Sequence, residues 1–230
     1  MTSSRASILL VSGAGLPAWI WDEVRSRLDP DRDTAVAARP TGSARLADYA
    51  AAAMRSAPEG PLVIVAHSVG GVIAAELLAT APTRVAGLLG VSAVVPRPGR
   101  SFIGALPAPR RWLVSAAIRV AGTRPPDAAI RAGIAAGLPE ATVERLVGDF
   151  TPESRSLYTD RAGRIPSGRP RGYVFTARDR EVPLGMQRAS AERVGGTWRR
   201  TLPTGHLPML EDPAGLASAI AAFAAAVPSP

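Results

Sequence analysis

Ser68, Asp179 and His206 are the residues of this chain whose types and settings could carry out acyl transfer. A serine hydroxyl becomes a nucleophile beside a base whose pKa lies near neutral, and only His67 and His206 can supply one. His67 adjoins Ser68. Adjacent residues on an extended chain point to opposite faces, so His67 is expected to pack beneath or beside the serine turn. His206 lies in the Gly/Pro-punctuated loop LPTGHLPMLEDP, the kind of setting from which scaffold-held groups act. The remaining need is an acid that orients the imidazole and stabilises its protonated form. Asp179 is the candidate, because it closes the strand-like run RGYVFTARD. Plainer readings exist for each: a strand-to-helix turn for Ser68, a surface loop for His206, and a solvated turn acid between Arg178 and Arg180 for Asp179.

The elements that would position these groups are visible in the patterning. In PLVIVAHSVGGVIAA, from Pro61 to Ala75, a β-branched run ends in a sharp turn and passes into an alanine-rich helical pattern. Such a turn lifts the serine clear of its neighbours and leaves the next N–H and the helix N-terminus facing developing negative charge. Ala66 occupies the first position of the G-x-S-x-G pattern, a site that needs a small residue. Strands are expected near Ala6 to Val11, Asp33 to Ala38, Leu62 to Ala66, Val85 to Val91, Gly172 to Ala177 and Thr197 to Leu202. Helices are expected near Ala18 to Leu28, Ala44 to Ser56, Val69 to Ala79, Leu184 to Val194 and Ala214 to Ala226. The alternation implies an α/β fold: a doubly wound, mainly parallel sheet of about six strands with helices on both faces. Ligands gather at the C-terminal strand ends of such sheets, where Ser68 and Asp179 both fall. Over 96–170 the rhythm breaks into helices expected near Pro109 to Ala121, Asp127 to Gly137 and Glu140 to Asp149.

The AHSVGG turn, the strand-plus-acid in TARDREVP and the GHLPMLEDP loop together resemble the α/β-hydrolase-fold serine hydrolases over almost the whole chain. A fourth piece, ILLVSGAGLPAWIW, resembles that family's oxyanion loop, with a flavour similar to the plant methylesterase and hydroxynitrile lyase subgroup. The resemblance implies a single domain over 1–230 with a helical cap inserted at 96–170. It also implies a compact version without the two leading strands of larger relatives. Carried over residue by residue, it implies Ser68 as nucleophile, His206 as base, Asp179 as its orienting acid, and the N–H groups of Ala14 and Val69 as the oxyanion hole. Ser12 stands where the family usually has histidine, and could contact a substrate oxygen instead. Gly13, Trp19, Phe102 and Trp112 are expected at the substrate. Ile103, Leu113, Ile130, Ile134 and Leu138 either wall the pocket or pack the cap onto the core. For Trp19 and Trp21 the alternative is helix packing, because residues two apart on a helix do not share a face.

Composition bounds the remaining possibilities. With 230 residues, 47% of them hydrophobic, the chain can bury a substantial core, on the order of 70% of its unfolded surface. It has no cysteine, which excludes disulfides and thiol catalysis. Two histidines without ligand spacing make a metal site unexpected, and no cofactor is implied. The net charge of +8 comes with 27 basic residues that are all arginine and are dispersed, the longest clusters being pairs such as Arg110-Arg111 and Arg199-Arg200. They are not interleaved with aromatic residues, so compositional bias explains them better than nucleic acid binding. No apolar run approaches the ~20 residues of a membrane span, and the polar stretch from Met1 to Ser7 lacks a leader pattern. The expectation is a cytoplasmic enzyme acting on a small-molecule substrate, with no nucleic acid or membrane partner and a homodimer left open. The favoured reaction is hydrolysis of an ester, lactone or thioester. Carbon-carbon bond hydrolysis, a biosynthetic cyclase or lyase, and a slow-turnover ligand receptor are the alternatives. The chain contains no lysine, which counts against a hydroxynitrile lyase of the plant type.

Overall fold

A computed structural model describes residues 5–228, so the expectation for the leading segment falls largely on residues 1–4, outside the described residues. Six strands, β1 (Ser7–Val11), β2 (Thr34–Val36), β3 (Leu62–His67), β4 (Val85–Val91), β5 (Arg171–Thr176) and β6 (Trp198–Leu202), form one sheet in the order β2-β1-β3-β4-β5-β6. Every neighbouring pair is parallel. The chain leaves β1 for β2 on one side and returns to place β3 on the other. The β1/β3 boundary is therefore the topological switch point, where an open sheet leaves a crevice at its C-terminal edge.

β1 and β3 are buried at every position because helices cover both faces of the sheet. Ile8 and Leu10 pack with Val63 and Val65 on one face, while Leu9 and Val11 pack with Leu62 and Ile64 on the other. The first face is covered by α1 (Asp22–Arg25) with the turn before it and, later in the chain, by the helix Pro213–Ala225, through Trp21, Val24, Leu216, Ile220 and Phe223. The second is covered by α2 (Leu46–Arg55), α3 (Gly70–Thr80) and the helix Leu184–Val194. Between β4 and β5 the chain forms α4 (Phe102–Ala105), α5 (Arg110–Ala121), α6 (Asp127–Ala129), α7 (Glu140–Gly148) and α8 (Ser156–Thr159). After β5 come α9 (Leu184–Val194), α10 (Pro208–Glu211) and α11 (Pro213–Ala225).

Three local differences from the sequence expectations have physical causes. The helix expected over Ala18 to Leu28 winds first as a 3-10 turn, Ala18–Trp21, and only then as α1. The indole N–H groups of Trp19 and Trp21 are drawn to separate partners, Asp149 and Ser12. The helix expected over Asp127 to Gly137 opens into a π-turn at Ile130–Ile134 and stops short of Gly137, which takes a φ of +90°. Two short helices, α4 and α8, stand in stretches without helical periodicity, and Ser101 caps the first by accepting from the Gly104 N–H at 3.1 Å.

Gly70 marks the tightest approach between the start of α3 and the loop after β1. A Cβ there would lie 2.5 Å from the Val11 carbonyl oxygen and 2.8 Å from that of Ser12. Backbone cannot move aside as a flexible side chain would, so Gly70→Ala is expected to destabilise the protein by about 1–3 kcal/mol. Gly148 has open space around its Cβ position, so Gly148→Ala should stay within about 0.5 kcal/mol of the wild type or stabilise it. Thermal unfolding of the two variants side by side checks the contrast.

Candidate active site

Ser68 directly follows β3 and adopts a φ of +54°, a conformation that non-glycine residues rarely take. The turn is held by its own backbone: the Ser68 N–H donates to the Val91 carbonyl at 3.3 Å, and its carbonyl accepts from Gly71 at 3.1 Å and Val94 at 2.8 Å. These bonds leave the side chain standing off the sheet at the entrance to α3. The loop after β1 packs directly against it, since a Cβ on Gly13 would fall 2.9 Å from Ser68 Cβ and 3.0 Å from His67 Nδ1.

His206 lies between β6 and α10, and its Nε2 is 3.2 Å from Ser68 Oγ. Its Nδ1 is 2.8 Å from Asp179 Oδ2. A carboxylate can only accept, so the imidazole proton sits on Nδ1 and the Nε2 lone pair faces the serine hydroxyl. Asp179 follows β5 and is itself surrounded by donors. Oδ2 also accepts from the Ser92 and Thr176 hydroxyls, the latter at 3.0 Å, while Oδ1 accepts the N–H groups of Glu181 and Val182, each at 2.8 Å. Burial pushes the pKa of this carboxyl up, but the hydrogen bond and charge of His206, the Ser92 hydroxyl and the Val182 N–H outweigh it. They hold the group well below the usual carboxylate range. Asp179 is thus an anion at neutral pH.

His67 is fully buried, and its Nε2 lies 2.8 Å from the carbonyl oxygen of His206. The carbonyl accepts, so Nε2 carries the proton, and Nδ1 is buried without a partner. The two imidazoles sit 4.8 Å apart between ring centres. Burial, and then the neighbouring His206, lower the His67 pKa to about 3, so this ring is neutral and cannot compete as a base. It steadies the His206 backbone instead.

Above the serine lies a cavity of about 350 Å³. Its walls are mostly apolar and come from the 96–170 segment, among them Phe102, Leu106, Val114, Ile118 and Ile134. Ala14 and Val69 border the cavity next to Ser68 and His206, and neither of their N–H groups makes a hydrogen bond among the described residues. Phe102 lies in the wall as expected. Trp112 does not: it is 61% exposed on the outer side of α5, with Arg111 against its ring. Trp19 is also outside, its indole bonded to Asp149 at 2.8 Å and its face covered by Arg145. Ser12 is buried and its hydroxyl accepts from Trp21 Nε1 at 2.9 Å, so that hydroxyl shapes the loop and does not line the cavity. Gly13 has no side chain to offer and supplies close packing. The donors around Asp179 were not among the residues picked out from the sequence. Ser92, directly after β4, carries the positional signal of a strand end, whereas Thr176 lies within β5 and carries no signal beyond that of a strand residue. Among the described residues no cluster of three or more histidine, aspartate or glutamate side chains could hold a metal ion, and no helix is long and apolar enough to cross a membrane.

Residues 8–219, from β1 into α11, match the alpha/beta hydrolase family as a whole. The chain belongs to the alpha/beta hydrolase family. No curated protein matches its sequence. Among solved structures it is similar to an extracellular alpha/beta-hydrolase from a Paenibacillus species, with a TM-score of 0.81 and 16% identity over 95% of this chain and 98% of that one. It is also similar to a pyrethroid hydrolase from Sphingobium faniae, with a TM-score of 0.65 and 23% identity over 97% of this chain and 98% of the other. Polyneuridine aldehyde esterase gives a TM-score of 0.72 and 18% identity, covering 94% and 97%. At these identities the likeness is one of fold.

The neutral, buried His67 ties stability to pH with a definite sign. Its pKa is about 3 in the folded chain and near 6.5 when unfolded. The unfolded state alone takes up the proton between those values, so stability falls as pH drops from 6.5 toward 3. Going from pH 7 to pH 5, this residue should cost the wild type about 2 kcal/mol. His67→Gln keeps a donor for the His206 carbonyl without the titration, so its loss over the same interval should be smaller by that amount. Urea unfolding of both proteins at the two pH values measures the difference.

Proposed function

We propose that this protein is a serine hydrolase that cleaves an ester, lactone or thioester of a small to medium apolar substrate. The observation that carries the reading is the hydrogen-bonded row from Ser68 Oγ through both His206 nitrogens to Asp179, opening into an apolar cavity. Membership of a hydrolase family supports hydrolysis in general; the row gives it a mechanism.

Ser68 Oγ attacks the carbonyl carbon as its proton passes to His206 Nε2, and the carbonyl π electrons move onto oxygen. The N–H groups of Ala14 and Val69, with the N-terminus of α3 behind them, receive that oxyanion. The Asp179 anion stabilises the imidazolium that forms, and its own protonation is opposed by five donors. Collapse breaks the bond to the leaving group, which takes the proton from His206. Water then repeats the sequence on the acyl-enzyme, its proton passing through His206 back to Ser68 Oγ. The apolar walls accept the acyl or alcohol chain and exclude water from the reacting carbonyl.

A panel of short- and medium-chain nitrophenyl esters tests the reading. Turnover is expected from the wild type, with kcat reduced at least about a thousandfold in Ser68→Ala and in His206→Ala. Asp179→Asn should fall about as far, because the amide permits the wrong imidazole tautomer. Activity that survives in Ser68→Ala would contradict an acyl-enzyme and point to cyclase-type proton transfer by His206.

A further inference from the structure

The loop after β1 is gripped from outside the sheet by an ion pair that the proposed reaction does not use. Arg39 lies just beyond β2, and Glu153 lies between α7 and α8 in the inserted segment. Their side chains pair directly, and the glutamate side chain is only 5% exposed. The guanidinium also donates to the Ser12 carbonyl at 2.8 Å and to the Gly13 carbonyl. The carboxylate accepts the Gly15 N–H at 2.8 Å and the Tyr49 hydroxyl at 2.9 Å, and that phenol oxygen accepts the Ser154 N–H at 2.9 Å. The pair therefore holds three backbone groups of the loop, the carbonyls of Ser12 and Gly13 and the N–H of Gly15.

These contacts fix the direction of one particular peptide. A trans peptide unit points its C=O and its N–H to opposite sides. Arg39 holds the Gly13 carbonyl, so the Ala14 N–H of the same unit must face away from Arg39. Glu153 holds the Gly15 N–H, which turns the Ala14 carbonyl away in turn. Gly13 and Gly15 flank Ala14, and Gly15 takes a φ of +68°. Glycines impose little preference of their own. Within the loop the Gly13 carbonyl accepts only the Leu16 N–H, at a long 3.4 Å, so without the grip of Arg39 the unit is held only weakly against rotating its N–H out of the cavity. The Trp21 to Ser12 bond does not prevent this, because it reaches a side-chain oxygen and not the peptide.

We infer that the Arg39–Glu153 pair is a positioning device for the oxyanion hole, selecting the peptide orientation that presents the Ala14 N–H to the substrate oxygen; this rests on the serine hydrolase reading. Because Glu153 belongs to the inserted segment, correct seating of that segment and a competent oxyanion donor become one event.

The test compares wild type with Arg39→Met, Arg39→Lys and Glu153→Gln on the best nitrophenyl ester, with an alkyl trifluoromethyl ketone as a tetrahedral oxyanion mimic. Circular dichroism reports whether each variant is folded. The expected result is a fall in kcat of about 10- to 100-fold with KM changed less than about threefold, part of what loss of a whole oxyanion donor costs. Ketone affinity should weaken in parallel, and Arg39→Lys should recover part of the loss. Glu153→Gln is nearly isosteric and carries the test if Arg39→Met does not fold. Folded variants with unchanged kcat and ketone affinity, or with losses confined to KM, would overturn the inference while leaving the hydrolase reading intact. A wild type that neither turns over the esters nor binds the ketone would remove both.

Discussion

Holding a serine at a φ of +54° costs on the order of 1–3 kcal/mol, and such strain persists only where the surroundings leave no alternative. Here the surroundings are the end of β4, which binds the Ser68 backbone, and the loop after β1, which closes on it to within van der Waals contact at Gly13. The parallel pairing of β1, β3 and β4 brings these three chain segments to one edge. Everything else in the site is built around that turn. It aims the hydroxyl at His206, frees the Val69 N–H, and starts α3 close enough to the loop that position 70 has to be glycine.

A second constraint runs through charge. Asp179 is buried, and a buried carboxylate stays ionised only when its lone pairs are occupied. Ser92 just after β4, Thr176 at the end of β5 and two loop N–H groups occupy them, so the acid is braced from two neighbouring strand ends before His206 is counted. Gln187 on α9 completes the bracing by donating to the Thr176 hydroxyl at 3.1 Å and bonding the Thr176 backbone on both sides. His67 holds the middle of the row through the His206 carbonyl. The imidazole is fixed from its acid and from its own backbone, leaving rotation of the serine hydroxyl as the soft coordinate.

The sheet was legible in the sequence because β1, β3 and β4 are buried on both faces and read as unbroken apolar runs. Ser68, His206 and Asp179 could be picked out because each lies at or beyond a strand end, and the structure brings them within hydrogen-bond distance. The side chains that depend on the 96–170 segment were not legible. Trp19 faces Asp149 and Arg145, Trp112 faces solvent, and Glu153 meets Arg39 across 114 residues of sequence. Those segments are joined by irregular loops and short helices, in which no periodicity says which face turns inward. The same lack of periodicity hid the π-turn at Ile130–Ile134, where Gly133 and Gly137 interrupt the helix.

The central claim is that Ser68 is an activated nucleophile, and covalent labelling with a fluorophosphonate probe measures that directly. Intact mass and peptide mapping should show one adduct per chain, on the peptide carrying Ser68, with labelling lost in Ser68→Ala and strongly slowed in His206→Ala. A folded protein that takes up no probe, or takes it up elsewhere, would contradict the account.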